Sequence, residues 1–265
     1  MKIYISVDME GITSLVHFDE ALTRNTDFQY FRKFMTEEAN AAIEGALAAG
    51  ATEIIVRDAH NTARNLLPDM LHPEAKLLRE WSRSPYQMME GIDDSFDAVL
   101  CVGYHAKAST PNGTLKHTMT GEILNVSVNG ISLPELGWNG LIAGYHNVPV
   151  IFVAGDQAIC DQANQLFQKI ETVAVKQGIG QATLSVHPKK AQSMIRNAVE
   201  RACKSFDQYT PLIYDAPYTI EISFKNELNA FRASWYPGAK RADELSVTLT
   251  CNDFFDCMRF FIFVT

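Results

Sequence analysis

Three apolar runs in this 265-residue chain end in side chains able to bind a metal ion or move a proton. The first ends in Ser6-Val7-Asp8-Met9-Glu10-Gly11, the second in Arg57-Asp58-Ala59-His60 and the third in Gly103-Tyr104-His105. Residues two apart on an extended backbone share a side, so Asp8 and Glu10 are expected to point together. Paired carboxylates repel unless a cation lies between them or one keeps a proton at some cost. Zn²⁺ accepts this mixture of imidazole nitrogen and carboxylate oxygen, and a catalytic site leaves one position open for water or substrate. Taken singly, Asp8 and Glu10 also read as a helix cap or as partners of surface lysines, and His60 or His105 as an ordinary packed or solvent-facing histidine. A shared metal ion would explain all three strand ends at once; on position alone both readings stand open.

The elements that must deliver these groups follow from the hydrophobic pattern. Residues 2–7 are β-rich, and apolar or small residues then recur at Phe28, Phe31, Met35, Ala39, Ala42 and Ala46, a helical spacing closed by Gly50. A strand at Glu53–Arg57 completes a β-α-β unit with parallel strands. Further buried strands are expected at Ala98–Gly103, Val148–Ala154 and Thr172–Val175, and helices around 156–169 and 188–204. The alternation predicts an α/β fold with a mostly parallel sheet covered by helices on both faces. In such a sheet, ligands gather beyond the carboxyl ends of the strands, where the three stretches end. Between residues 123 and 133, Asn129-Gly130 separates two alternating arms and predicts a hairpin insertion. From Tyr218 the chain reads as strand Thr219–Phe224, a Pro237-Gly238 turn, strand Ser246–Thr250 and an apolar end. The expected division is a catalytic domain at 1–210 and a small α+β C-terminal subdomain at 211–265.

Composition narrows the function. With 47% hydrophobic and 20% charged residues the chain can build a sizeable core. Its 31 acidic against 23 basic residues give a net charge of -8, without the basic face that nucleic-acid binding requires. No stretch approaches a membrane span, and the short apolar start already contains Asp8, so a cytoplasmic protein without a signal peptide is expected. The cysteines at 101, 160, 203, 251 and 257 are odd in number and scattered, as for reduced thiols rather than disulfides or a cysteine metal site.

Familiar catalytic signatures are missing: the chain has no His-Glu-x-x-His, no Gly-x-Ser-x-Gly elbow, no phosphate loop and no dinucleotide glycine pattern. Glu37-Glu38 reads as a solvated helix face. His72 and His187, each before a proline, read as turn residues, and the pattern gives His17 and His146 no role. The residues alone do not choose a reaction, and two readings stand at this point: a two-metal hydrolase of a small amide or phosphoester, and a non-catalytic small-ligand module.

A wider set of motifs resembles the zinc D-aminopeptidases of the bacterial dipeptide-transport operon type (DppA-like). The resemblance rests on Ser-Val-Asp-Met-Glu-Gly at 6–11, Met-Thr-Glu-Glu-Ala-Asn at 35–40, Asp-Ala-His at 58–60 and Gly-Tyr-His-Ala at 103–106. It continues through His-Thr-Met at 117–119, Glu-Leu-Gly at 135–137, Val-Ala-Gly-Asp at 153–156 and Ala-Val-Lys-Gln at 174–177. It implies two zinc ions per subunit held by Asp8, Glu10, His60, His105 and Glu135, with Asp8 bridging, and His117 as nucleophile or general acid and base. It further implies short-peptide substrates of the D-Ala-D-Ala kind and a homo-oligomer, a decamer enclosing its active sites. One departure stands out: Pro134 and Trp138 flank the Glu-Leu-Gly motif, and a bulky Trp138 beside a ligand is expected to reshape the substrate pocket.

Overall fold

The computed structural model describes residues 1–265. Strand β1 (Lys2–Val7) alternates its side chains between two buried faces, with Ile3, Ile5 and Val7 on one and Tyr4 on the other. A short helix α1 (Phe18–Ala21) follows, capped by His17, whose ring accepts from the Asp19 N–H. The predicted long helix is α2 (Phe28–Ala48), whose buried stripe of Phe28, Phe31, Met35, Ala39, Ala42 and Ala46 is the one read from spacing. Next come β2 (Glu53–Asp58), β3 (Ala75–Leu78) and β4 (Ala98–Tyr104). A hairpin of β5 (Ile123–Val128) and β6 (Ile131–Ser132) turns at Asn129 and Gly130, both with positive φ, which glycine and asparagine tolerate best. Helix α3 (Glu135–Tyr145), β7 (Val150–Asp156), α4 (Gln157–Leu166), β8 (Glu171–Ile179), β9 (Ala182–Ser185) and α5 (Pro188–Lys204) complete the larger layer. The remainder is β10 (Tyr218–Phe224), α6 (Glu227–Ala233), β11 (Lys240–Arg241), β12 (Ser246–Cys251) and α7 (Phe254–Val264).

Seven strands form one sheet in the order β3-β2-β1-β4-β7-β8-β9, parallel throughout except for β9. Helices α2 and α5 cover the face carrying Ile3, Ile5, Leu100 and Phe152; α3 and α4 lie against the other, with Tyr4, Val99, Cys101 and Val153. Both faces are therefore buried, which is why these strands read as continuous apolar runs rather than alternating ones. The second sheet, β11-β12-β10-β5-β6, is antiparallel. The hairpin expected as an insertion hydrogen-bonds to β10, so this sheet takes strands from both sides of residue 210. The apolar chain end, for which the pattern gave no element, is α7. Asp253 accepts from Phe255 N–H at its start, and Phe254, Cys257, Met258, Phe260 and Phe261 are buried.

Strand order reverses between β1 and β4, and the gap that opens there is where ligands of α/β sheets collect. Two glycines let the two strand ends close on each other. A Cβ on Gly11 would lie 1.8 Å from the Tyr104 carbonyl oxygen, and one on Gly103, at φ +73°, would lie 2.1 Å from that of Asp8.

Candidate metal centre

Asp8 follows β1 directly, its N–H still donating to Val102 O at 2.8 Å. The extended backbone expected to aim Asp8 and Glu10 together ends at Val7; residues 9–12 fold into a turn, with Ile12 N–H on Met9 O at 3.2 Å and Gly11 N–H on Gly103 O at 2.8 Å. The turn still brings both carboxylates to one place. His60 Nδ1 lies 2.9 Å from Glu10 Oε2 and 3.3 Å from Asp8 Oδ1. From the other side, His105 Nε2 lies 3.5 Å from Asp8 Oδ2 and 3.5 Å from Glu135 Oε2. His117 Nε2 stands 3.6 Å from Glu135 Oε1 and 3.9 Å from Glu10 Oε1, its ring stacked on that of His105 with centroids 4.2 Å apart. All six residues named in advance thus meet at the β1/β4 gap.

Each imidazole has one nitrogen committed to the main chain. His60 Nε2–H donates to Ala21 O at 2.8 Å, His105 Nδ1–H to Ala106 O at 3.0 Å and His117 Nδ1–H to Leu115 O at 2.9 Å. A carbonyl only accepts, so these bonds fix the tautomer and turn the other nitrogen, a lone pair in the neutral ring, toward the carboxylates. That is the outer support metal-binding histidines ordinarily have. Asp8, Glu10, His60, His105 and Glu135 are all at most 4% exposed. Yet Asp8 Oδ2, Glu10 Oε2 and His105 Nε2 make no well-aligned hydrogen bond, close as they are to their neighbours. Buried polar atoms left facing one another in this way are costly unless something sits among them. Two overlapping triads, Asp8/Glu10/His105 and His105/His117/Glu135, each bring their ligand atoms within 4.8 Å of one another. The donor set of imidazole and carboxylate suits a borderline divalent cation and includes no thiolate; all five cysteines are free and lie elsewhere.

Charge reinforces the geometry. Burial opposes protonation of His60 and His105, but the facing carboxylates outweigh it. Glu10 and Asp8 hold His60 well above its ordinary pKa, and Glu135, Asp8 and Glu10 lift His105 to about 10. Burial and the neighbouring Glu10 raise Asp8, whereas the histidines overcome burial to hold Glu10 and Glu135 low. Without a cation, protons on the imidazoles balance the carboxylates; a divalent ion would take their place.

Glu135 opens α3, in the residue after the capping Pro134, and Met119 N–H donates to its Oε1 at 2.6 Å. Position at strand ends could not find it, because α3 was not foreseen: Gly137, Gly140 and Gly144 mask its helical pattern. A proline followed by an acid in the first turn was the available signal. The expectation for Trp138 fails. Its side chain is 1% exposed and packs on Phe254 and Phe261, away from the metal centre. Glu38, read as part of a solvated face, is 1% exposed. The other histidines stay outside the cluster: His187 caps α5, His146 ends α3, and His72 sits in the turn before β3.

The centre opens into a cavity of about 490 Å³ walled by Phe18, Leu22, Trp81, Met88 and Met119. A second cavity of about 560 Å³ shares Asn61, Trp81, Met88, Met119 and Thr120 with it. The apolar walls of the first cavity come from loops and the short α1, whose sequences carry no periodic signal; the second adds Ile262 and Phe263 from the end of α7.

Comparison with known proteins gives a consistent picture. The chain matches the D-aminopeptidase family model over residues 1–263. It is 37% identical over 241 residues to a D-aminopeptidase of Bacillus subtilis (strain 168), covering 91% of this chain and 87% of that protein. Among solved structures it is similar to a zinc-dependent D-aminopeptidase from Bacillus subtilis, a self-compartmentalizing protease. There the TM-score is 0.95 at 34% identity, covering 100% of this chain and 96% of the other.

Proposed function

The chain belongs to the D-aminopeptidase family, and from that premise we propose that it releases N-terminal D-residues from short peptides at a two-zinc centre held by Asp8, Glu10, His60, His105 and Glu135. One observation carries the reading: the buried atoms Asp8 Oδ2, Glu10 Oε2 and His105 Nε2 converge without an aligned hydrogen bond, while every histidine of the cluster spends its remote nitrogen on a carbonyl. Asp8 faces His60 with Oδ1 and His105 with Oδ2, as a residue shared between two ions would. Three carboxylates against two Zn²⁺ would leave a net positive centre, and such a centre supplies a polarised peptide carbonyl and a water acidified toward about 7.

The remaining work falls to the protein. His117, half-buried at the cavity wall, has Nδ1–H fixed on Leu115 O, so Nε2 is the atom that accepts a proton from the attacking water and returns it to the leaving amine. Phe18, Leu22 and Met119 offer apolar contact to a small side chain. In this reading residues 1–210 are the catalytic domain, and the 211–265 subdomain supplies Ile262, Phe263 and Thr265 to the adjoining cavity.

Assembly into a homo-oligomer, a decamer, belongs to the same proposal. It is supported by the self-compartmentalizing character of the Bacillus subtilis relative and by the apolar face of α6 and its turn, where Leu228 and Trp235 are 65% and 75% exposed. Five free thiols support a cytoplasmic setting.

The deciding experiment is a panel of dipeptides in matched L- and D-forms, assayed with zinc and after chelation, with zinc counted per chain. Zinc-dependent release of D-residues with two equivalents bound supports the proposal. Turnover indifferent to the chelator, or confined to L-peptides, refutes it.

A further inference from the structure

Two of the sequence motifs that the metal centre leaves unused, Met-Thr-Glu-Glu-Ala-Asn on α2 and Ala-Val-Lys-Gln on β8, meet behind it. Lys176 of β8 is 3% exposed, and its ammonium donates to two main-chain carbonyls, those of Glu10 and, at 2.7 Å, Leu15. Between these anchor points, Thr13 N–H donates to Glu38 Oε1 at 2.8 Å and Thr13 Oγ1–H to Val186 O at 2.6 Å. Glu38 is as deeply buried as Lys176, and its Oε2 has no partner. Neither side chain touches the cluster of ligand atoms. Both touch the six-residue turn, Glu10 to Leu15, that carries one of its carboxylates.

Burying an ammonium costs several kcal/mol before any bond it makes is counted, and an apolar residue of the same length would fill the space more cheaply. A lysine retained there needs a reason, and its bonds supply one. By closing on residues 10 and 15 it ties the start of the turn to its end, and Glu38 holds the middle. The backbone of Glu10 has left β1: the Gly11 N–H bond to Gly103 O of β4 holds it on one side, and Lys176 holds its carbonyl on the other, so its carboxylate direction depends in part on these ties.

We propose that Lys176 is a positioning residue of the metal centre, which with Glu38 locks the 10–15 turn so that the Glu10 carboxylate faces His60. The proposal rests on the two-zinc reading given above. It distinguishes positioning from mere core support, because a support would lower stability and leave the metal affinity of the folded chain alone.

The test uses full-length Lys176→Met, which keeps the stem and removes the donors, and Glu38→Leu, which frees Thr13 N–H. Zinc affinity is measured by competition with a chromophoric chelator, alongside melting of the metal-free protein and kcat and KM. Loss of about 10- to 100-fold in affinity for one of the two ions is expected in each variant, as for other residues that orient a ligand from behind. The drop in kcat should exceed the change in KM, and Lys176→Arg should recover part of the affinity. Zinc affinities within twofold of the parent, with a lowered melting temperature, overturn the proposal. Should Lys176→Met fail to fold, Glu38→Leu and Lys176→Arg decide by the same reading. A parent chain that binds no zinc overturns the functional reading and this one together; a zinc-binding parent with unaffected variants overturns this one alone.

Discussion

Asp8 and Asp156 occupy matching places and do opposite things. One follows β1 and the other ends β7, both on the carboxyl edge of the same sheet, and neither is more than 3% exposed. Asp156 spends its oxygens on the fold: Oδ2 accepts from Thr114 N–H at 2.7 Å and its hydroxyl at 3.0 Å, and Oδ1 from Ile159 N–H at 2.8 Å, capping α4. Asp58, at the end of β2, is likewise filled by Asn65 and Leu66. Asp8 accepts one bond, from Met9 N–H, and keeps Oδ2 free beside His105. Burial at a strand end is therefore not what marks a ligand. The mark is a lone pair that the fold leaves open.

Exchanging the two aspartates gives the sharpest test of that distinction. Asp8→Ala should abolish binding of at least one zinc and reduce turnover by ~10³-fold or more, while the protein folds. Asp156→Ala should do the reverse, retaining two zinc equivalents and losing about 3 kcal/mol of stability with its cap and its hold on Thr114. Metal analysis and denaturant melts on the two variants suffice. A zinc-replete, active Asp8→Ala would remove the contrast altogether.

His117 sharpens the contrast within the cluster. It is the most exposed of the three histidines there and lies farthest from the carboxylates, which suits a group that meets substrate. His117→Ala is expected to keep both zinc ions and the parent melting temperature while kcat falls by ~10²- to 10⁴-fold. Loss of a zinc ion in this variant would make it a ligand instead.

The sequence made much of this legible, and for a physical reason. Parallel strands buried on both faces are mostly apolar, so the polar groups clustered at their ends, Asp8, His60 and His105 among them, stood out. The layered α/β fold and the Asn129-Gly130 hairpin came from equally local patterns. Glu135 did not. Its helix contains three glycines, and only the family likeness pointed to it. Glu38 was misread because α2 is buried on more than one side: Gln29, Lys33 and Glu44 face solvent, but Glu38 meets the 10–15 turn, and that depends on tertiary packing. The walls of the cavity over the metal centre, built mostly from loops, had no pattern to read.

A smaller effect concerns protons. In the metal-free protein His105 is lifted to about 10 and His60 is also raised, so both should be charged at neutral pH. Zinc takes neutral imidazole, so binding at pH 7 should release protons, seen as a calorimetric heat that varies with the ionisation enthalpy of the buffer. The sign for stability follows. A histidine pKa above its unfolded value of ~6.5 stabilises fully below that value and loses its contribution as pH rises through the folded pKa. Metal-free protein should thus melt progressively lower between pH 6.5 and about 10, and the extra stability given by zinc should widen over that range. A buffer-independent heat would show that the cluster is not held by protons.

The smallest effect on catalysis is expected one turn along α3 from Glu135. Trp138 is its near neighbour in sequence, yet the helix turns it away from the cavity, against Phe254 and Phe261 of α7. Its indole N–H is buried without a partner, so Trp138→Phe removes an unsatisfied donor together with some packing, and the two changes oppose each other. Stability should shift by about 1–2 kcal/mol at most. With no contact to the cavity, kcat/KM on D-dipeptides should stay within about twofold of the parent, because α3 holds Glu135 through its own first turn and the Met119 N–H. A variant that changed the preference among D-dipeptides would mean that the packing of α7 reaches the substrate through Ile262 and Phe263.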